Sequence, residues 1–268
     1  MKYLVAAFLC IGLLNIVNAQ SFYMIPYSFF PEKGQKIDIG VFSGKGFDTL
    51  KAKKTPLSQL SSAFLYAGGK PVSLQHDDKG SQSSLSLQLQ STGLCMIVAK
   101  KETPGLVSDR EEVIRQLTDE GFADLAEKAG DEEEMSINNI FTLRTLLMSE
   151  KPSGNCYGEK TEEDLEIVLL QNPYKMKYGE DVTAQLLFKG KPLAKVRTEI
   201  YTRTLAGTVV PAESVTDSEG KIYVKLNRSG DWMLKAVYIK PAEKTSAKDA
   251  DYTRWSSSFT FGFRQQTY

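Results

Sequence analysis

Apolar and polar residues alternate along most of this chain, in short runs that are closed by glycine, aspartate or proline. One such pattern occurs twice. Gly34 precedes the alternating run 37–41 and Gly179 precedes the run 182–186, and each glycine follows a Pro-Tyr pair. Runs of period two bounded by turn residues predict strands, and their recurrence indicates a duplicated unit.

Later in each half the same turn chemistry returns. Asp77 to Gly80 opens one alternating run, and Asp217 to Gly220 opens its counterpart in the second half. We therefore predict a mainly β fold of two tandem Ig-like antiparallel β-sandwiches with a helical insert between them. The first sandwich would occupy residues 20–105 and the second would occupy residues 164–268.

Residues 106–150, between the two predicted sandwiches, have apolar positions spaced as on a helix face. Ser108 and Glu111 have the spacing of a capping box, in which each side chain satisfies a free backbone N–H of the first turn. Gly121 is a suitable stop for this helix, and Phe122 to Gly130 would form a second short helix.

A third helix is predicted over the last part of the insert. The acids at 132–134 would stabilise its N-terminus, where negative charge is favoured. The apolar residues from Met135 to Met148 would form one stripe, which we expect to pack on a sandwich rather than receive a ligand. Residues 151–163, which contain Gly and Pro, are the predicted linker.

The first residues have the pattern of a secretory signal peptide. Lys2 is followed by a nearly unbroken apolar stretch, and small residues occupy the cleavage positions up to Ala19. The apolar stretch is shorter than the roughly 20 residues that a transmembrane helix needs. We expect removal of residues 1–19, no membrane span afterwards, and a periplasmic or secreted location.

Charge and motif content argue against several classes of function. The 33 basic and 33 acidic residues leave no charge excess that would attract nucleic acid. His76, the one histidine, excludes His-rich metal sites and triads built on a second histidine. Its neighbours Asp77 and Asp78 could join it at a weak cation site, but this segment is more typical of a hairpin tip. We expect no catalytic residue, no metal, no cofactor and no enzymatic activity.

Cys95 and Cys156 remain after removal of the signal peptide. An oxidising compartment allows a disulfide between them. The apolar sequence around Cys95 instead favours a buried and unreactive thiol. Neither cysteine has a histidine nearby in the sequence to act as its base.

Aromatic residues are the best remaining candidates for a binding surface. A tryptophan in a sandwich strand is most often a core residue, whereas exposed aromatic side chains between domains can receive a ligand or a partner. The candidate ligand-binding residues are Gln20, Phe22, Tyr23, Trp232, Tyr238 and Trp255.

Several separated segments also resemble a known family. They are Phe22-Tyr23, Leu117 to Phe122, Leu165 to Val168 with Asn172-Pro173, Gly190 to Leu193, Thr216 to Gly220, Gly230 to Trp232, and Trp255 to Phe261. In this order they are similar to the domain of unknown function 4198 family of secreted two-domain proteins. The resemblance implies secretion, the two-domain fold, and a link to nickel or cobalt uptake.

Two positions depart from the family pattern. Relatives commonly have a histidine at the processed N-terminus and another late in the second domain, where this chain has Gln20 and, nearby, Tyr238. Nickel, cobalt and copper sites depend on imidazole or thiolate donors, so we predict no tight site for these ions. We expect a non-enzymatic extracytoplasmic binding or accessory protein with a protein or small-ligand partner at the cell envelope. The alternative is a structural or adhesion-type Ig-like module that contacts protein or glycan at the cell surface.

Overall fold

The computed structural model describes residues 21–74, 82–243 and 250–265. The predicted signal peptide, Gln20, and the predicted turn from His76 to Gly80 lie outside these ranges. Within them the chain forms sixteen strands and two α-helices. The strands are β1 (Ser21–Pro26), β2 (Lys36–Gly44), β3 (Lys53–Lys54), β4 (Ser62–Tyr66), β5 (Val72–Ser73), β6 (Ser84–Gln88), β7 (Gly93–Asp109), β8 (Glu134–Ser149), β9 (Leu165–Leu169), β10 (Asp181–Phe188), β11 (Lys191–Pro192), β12 (Arg197–Thr204), β13 (Val209–Val215), β14 (Lys221–Lys225), β15 (Gly230–Pro241) and β16 (Tyr252–Phe263). The helices are α1 (Arg110–Asp119) and α2 (Ala123–Glu127).

The described strands form one eight-stranded sheet and two four-stranded sheets. The eight-stranded sheet, here called the central sheet, has the order β13-β12-β15-β16-β8-β7-β4-β5. Its neighbours are antiparallel except β16 and β8, which run parallel. The first small sheet contains β1, β2, β3 and β6, and the second contains β9, β10, β11 and β14. The prediction of a mainly β, antiparallel fold is confirmed.

The two small sheets cover opposite faces of the central sheet, because its middle strands are apolar on both sides. Along β7, Cys95 and Ile97 point into the core that includes the first small sheet. Met96 and Val98, which alternate with them, point into the core that includes the second small sheet. The molecule therefore has three layers of sheet around its middle strands.

Strand pairing in the second half of the chain repeats that of the first half. The set β1, β2, β3 and β6 has the same neighbours as β9, β10, β11 and β14, and β4, β5, β7 and β8 correspond to β12, β13, β15 and β16. Gly34 and Gly179 occupy equivalent turns with φ of 81° and 86°, and their N–H groups donate to Leu89 and Leu226 at 2.8 Å. The repeat in the sequence thus corresponds to a repeated order of strand pairing. The boundaries of two separate domains stay predictions.

The prediction of a third helix is wrong, because residues Glu134–Ser149 form β8. This strand lies in the middle of the central sheet, between β7 and β16. Both of its faces are buried, so apolar residues occur without the period of two that marks a half-exposed strand. Leu143 and Leu147 are buried as expected, but they are strand residues.

The start of the helical region also differs from the prediction. The sequence predicts that the first sandwich closes at Thr103–Gly105, but β7 continues through this segment with a register shift and ends at Asp109. Asp109 rather than Ser108 precedes α1, and no side chain caps the helix. Gly121, with φ of 90°, follows the end of α1 as predicted. Both helices pack on the face of the central sheet opposite the second small sheet.

Candidate functional site

Three of the six predicted ligand-binding residues, Phe22, Tyr23 and Trp232, do not form a common surface. Phe22 and Tyr23 are buried, and they point to opposite faces of β1. Trp232 is buried in the core with the second small sheet, where its ring stacks on that of Phe261. Gln20 lies outside the described residues.

Tyr238 and Trp255 do come together, on the face of the central sheet that carries the second small sheet. They are opposite each other in the β15–β16 pair, and their ring centroids are 6.4 Å apart. Phe188, the last residue of β10, completes the cluster with its centroid 4.8 Å from that of Tyr238 and 5.0 Å from that of Trp255. Such edge-to-face contacts hold the three rings in fixed relative positions.

Asp164 positions two members of this site at once. Its carboxylate Oδ2 accepts a hydrogen bond from Trp255 Nε1 at 2.9 Å, and its backbone carbonyl accepts one from the Lys189 N–H at 2.7 Å. Lys189 and Gly190 form the two-residue loop between β10 and β11, with φ of 49° and 74°. Two positive φ values are typical of the type I′ hairpin.

A cavity of about 480 Å³ opens beside two of the rings, those of Phe188 and Trp255, and we call it the Trp255 cavity. Pro104, Ile140, Phe188 and Trp255 provide the apolar part of its wall. These residues come from β7, β8, β10 and β16, so both halves of the repeat contribute. Polar residues, among them Asn138, Asn139 and Thr253, make up about half of the wall. The volume is within the range of small-ligand sites.

Two lysines give one side of the Trp255 cavity a positive charge. Lys240 Nζ lies 5.2 Å from the ring centroid of Phe188 and 5.4 Å from that of Tyr238. Lys189 Nζ lies 5.6 Å from the Phe188 centroid. Two acids also line the cavity: Glu102, which is paired with Lys100 at 2.8 Å, and Glu243. An anionic group could therefore be held only on the side of Phe188, where the two lysines lie next to an apolar ring.

Tyr238 and Trp255, two of the residues predicted from the sequence, lie in the aromatic cluster, whereas the other residues at the Trp255 cavity were not predicted. Phe188 and Lys189 are in a segment that was informative only as a turn, and Lys240 is at the end of an ordinary strand. The available signal was an aromatic residue beside a lysine at a hairpin tip, which is too common to identify a site.

A second cavity, of about 540 Å³, lies between α1 and the other face of the central sheet. Its charged walls are paired internally. Lys235 contacts Glu199 at 3.1 Å, and Arg115 contacts Glu112 at 2.7 Å. Burial alone would raise the pKa of Glu199, but Lys235 and the hydroxyl of Tyr201 outweigh it and the pKa is lowered.

Contacts between the helix and the sheet lie at the end of α1, where Arg254 of β16 pairs with Glu120 at 2.6 Å and Arg197 of β12 donates to the backbone carbonyl of Asp119 at 3.3 Å. We interpret these two contacts as the ones that fix α1 on the sheet.

Neither the cysteines nor the carboxylates of the described residues form a metal centre or a nucleophilic site. Residues 21–74, 82–243 and 250–265 contain no group of three His, Cys, Asp or Glu side chains suited to a metal ion. Cys95 and Cys156 are buried free thiols, and burial raises the pKa of each to about 12. The prediction of a buried thiol at Cys95 is confirmed. Within the same ranges no helix is long and apolar enough to cross a membrane.

The chain matches one protein family. The profile described as "Domain of unknown function (DUF4198)" matches residues 17–240. No curated protein matches the chain.

Two solved structures are similar to it over most of its length. The "D0-D1 domain of Intimin" is 11% identical over 91% of this chain and 98% of that chain, with a TM-score of 0.22. A "tetra-tandem repeat in extending region of large adhesion protein" is 12% identical over 91% of this chain and 49% of that chain, with a TM-score of 0.23. TM-scores this low do not establish a shared fold or function.

Proposed function

The chain belongs to the domain of unknown function 4198 family, and from that premise we propose a non-enzymatic binding or accessory protein of the cell envelope, with the Trp255 cavity as its recognition site. The observation that carries the proposal is the combination of a fixed aromatic cluster, an apolar wall and two lysines in one cavity. Ligand sites generally combine apolar walls with a small number of placed polar groups.

The chemistry of the cavity selects an anionic ligand with an apolar part. Lys189 and Lys240 would pair with a carboxylate, while Phe188 and Ile140 would contact the apolar part. Both lysines are exposed, so water screens each pairing with an anion, and the two together would contribute more than either one alone. An acidic glycan and an acidic peptide both meet this description.

Two features support the non-enzymatic and extracytoplasmic parts of the proposal. Both thiols in the described residues are buried with raised pKa values, so they are poor nucleophiles at neutral pH. The sequence of residues 1–19 has the pattern of an export signal. A role in nickel or cobalt uptake would rest on the family resemblance, since the described residues offer no metal-ligand group.

Trp255 gives a direct test, because the chain has two tryptophans and the other is Trp232. In a Trp232→Phe variant, the remaining fluorescence reports on Trp255. Titration with uronic-acid oligosaccharides and acidic peptides should give a saturating change in fluorescence, whereas neutral counterparts should not. Lys189→Gln combined with Lys240→Gln should weaken binding at least tenfold.

Lys191→Gln is the matched control for the charge changes, because Lys191 is exposed on the neighbouring strand β11. This variant should bind as tightly as the parent. The proposal fails if no anionic probe gives a saturating change, or if loss of both cavity lysines leaves the affinity unchanged.

A further inference from the structure

The two most exposed aliphatic side chains of the described residues lie on neighbouring loops. Leu50, between β2 and β3, is 95% exposed, and Leu205, between β12 and β13, is 71% exposed. Single exposed leucines are common on protein surfaces, but two on loops that are joined to each other can form one interaction site.

Contacts below the two leucines hold the loops together. Arg203 Nη1 donates a hydrogen bond to Thr49 Oγ1 at 2.7 Å, and its guanidinium lies 5.6 Å from the ring centroid of Phe47. Phe47 is completely buried and anchors its loop in the core. The Leu50 N–H donates to Asp48 Oδ1 at 3.0 Å, which closes a turn. Leu50 is thus presented to solvent by an ordered loop.

Lysines flank Leu50 along the chain. Residues 45–54 contain four lysines, at 45, 51, 53 and 54, and one acid, Asp48. All four lysines are exposed, and Asp48 lies 3.5 Å from Lys51. The turn that carries Leu205 adds no acid. Although the whole chain is electrically balanced, this loop has a local positive excess.

We infer that the Leu50 and Leu205 loops, here called the leucine tip, dock on an anionic lipid bilayer. Apolar side chains at a protruding tip can enter the acyl boundary of a bilayer, while surrounding lysines pair with anionic headgroups. Two exposed turns can enter the soft surface of a bilayer. They do not provide the broad complementary area of roughly 800 Å² per partner that stable protein interfaces bury.

The leucine tip and the Trp255 cavity are at opposite ends of β15. Arg203, which joins the two loops, lies beside Asp231, and Lys240 is at the cavity. Nine residues of strand separate these positions, which is about 30 Å at ~3.3 Å per residue. Docking by the tip would therefore hold the cavity away from the bilayer. The inference does not depend on the proposed function of that cavity.

Vesicle flotation tests the inference with a chain that begins at Gln20, because the apolar residues 1–19 would bind lipid by themselves. The protein should bind vesicles of phosphatidylcholine mixed with phosphatidylglycerol, and it should bind neutral phosphatidylcholine vesicles at least tenfold more weakly. Leu50→Ser combined with Leu205→Ser should reduce binding to the mixed vesicles at least tenfold. Lys51→Glu combined with Lys54→Glu should do the same.

Each double variant has a matched control. Val72→Ser with Tyr223→Ser changes residues that are 58% and 56% exposed away from the tip, and Lys191→Glu with Lys225→Glu changes exposed lysines elsewhere. Both controls should bind as the parent does, and circular dichroism should show that all variants are folded. Absence of binding to mixed vesicles overturns the inference, as does equal binding by the leucine variant or to neutral vesicles.

Discussion

Arg144 is completely buried in β8, and its environment shows how a charge is accommodated inside the three layers of sheet. Its guanidinium is paired with Glu166 of β9, which is also buried, and donates to the backbone carbonyls of Glu159 and Ile167 at 3.1 and 3.3 Å. Burial lowers the pKa of Arg144, and the neighbouring Glu166 carboxylate opposes this effect. The ion pair joins the central sheet to the second small sheet.

Glu166→Gln should lower the free energy of unfolding by about 3–5 kcal/mol, because it leaves the buried guanidinium without a negative partner. Urea denaturation followed by circular dichroism measures the change. Glu213→Gln is the control, since Glu213 pairs with Arg197 at the surface and should cost about 0–1 kcal/mol. Similar losses for the two variants would contradict this interpretation of the buried pair.

The prediction that the chain has no tight nickel, cobalt or copper site also depends on single residues. His76 and Gln20 lie outside the described residues, and both cysteines are buried with raised pKa values. We expect isothermal titration of the processed chain with nickel, cobalt or copper to show no submicromolar site, because imidazole and thiolate donors dominate such affinities. Submicromolar binding that is lost in His76→Ala would restore a metal-transport role.

Individual elements differ in how far the sequence predicts them. Half-exposed strands such as β10 and β14 were predictable, because one polar face preserves the alternation. β8 was not, because both of its faces are buried and acids precede it as they precede many helices. The Trp255 cavity was only partly predictable. Its residues are distant along the chain, and their meeting depends on the pairing of β15, β16 and β8.

The turn between β13 and β14 gives a test at the level of elements. Gly220 has φ of 70°, and a Cβ atom there would lie 2.7 Å from the carbonyl oxygen of Leu186. Gly220→Ala combines backbone strain with this clash, so we expect a loss of stability of about 1–3 kcal/mol or more. The matched control is Gly207→Ala, where φ is 84° but no atom lies within 4 Å of the added Cβ. Thermal unfolding should show the larger loss of stability for Gly220→Ala. An equal loss for Gly207→Ala would mean that backbone strain alone, without the clash, determines the effect.

At the scale of the whole molecule, the repeat is joined through the centre of the sheet. β8 ends the first set of repeated strands and β16 ends the second, and these two strands pair in parallel. Corresponding strands are thus related by a half-turn about an axis that lies in the plane of the sheet, parallel to β8 and β16. Such a rotation exchanges the two faces of the sheet, which explains why the two small sheets lie on opposite faces. Thr260 Oγ1 reinforces the junction through Thr145 Oγ1 at 2.9 Å and the carbonyl of Met24 at 2.8 Å.

This junction leads us to expect one cooperative unfolding transition for the whole protein. Leu87→Ala perturbs the core of the first small sheet, and Ile222→Ala perturbs that of the second. Each variant should shift the entire transition in calorimetry, because both cores share the middle strands. If one variant shifted only part of the transition, the halves would unfold independently, as two separate domains do.

The parallel pairing of β8 with β16 also determines when this part of the central sheet can form during folding. Ser136 and Asp251, which are hydrogen-bonded beside the junction, are 115 positions apart in the chain. Contacts between such distant segments form slowly, since a long loop must close before they stabilise anything. During synthesis, the edge of β8 that pairs with β16 stays unpaired until the intervening chain has been made. A chain built in this way delays its own folding, which would suit the export proposed above, since an exported chain is threaded through a membrane as an extended polymer before it becomes compact.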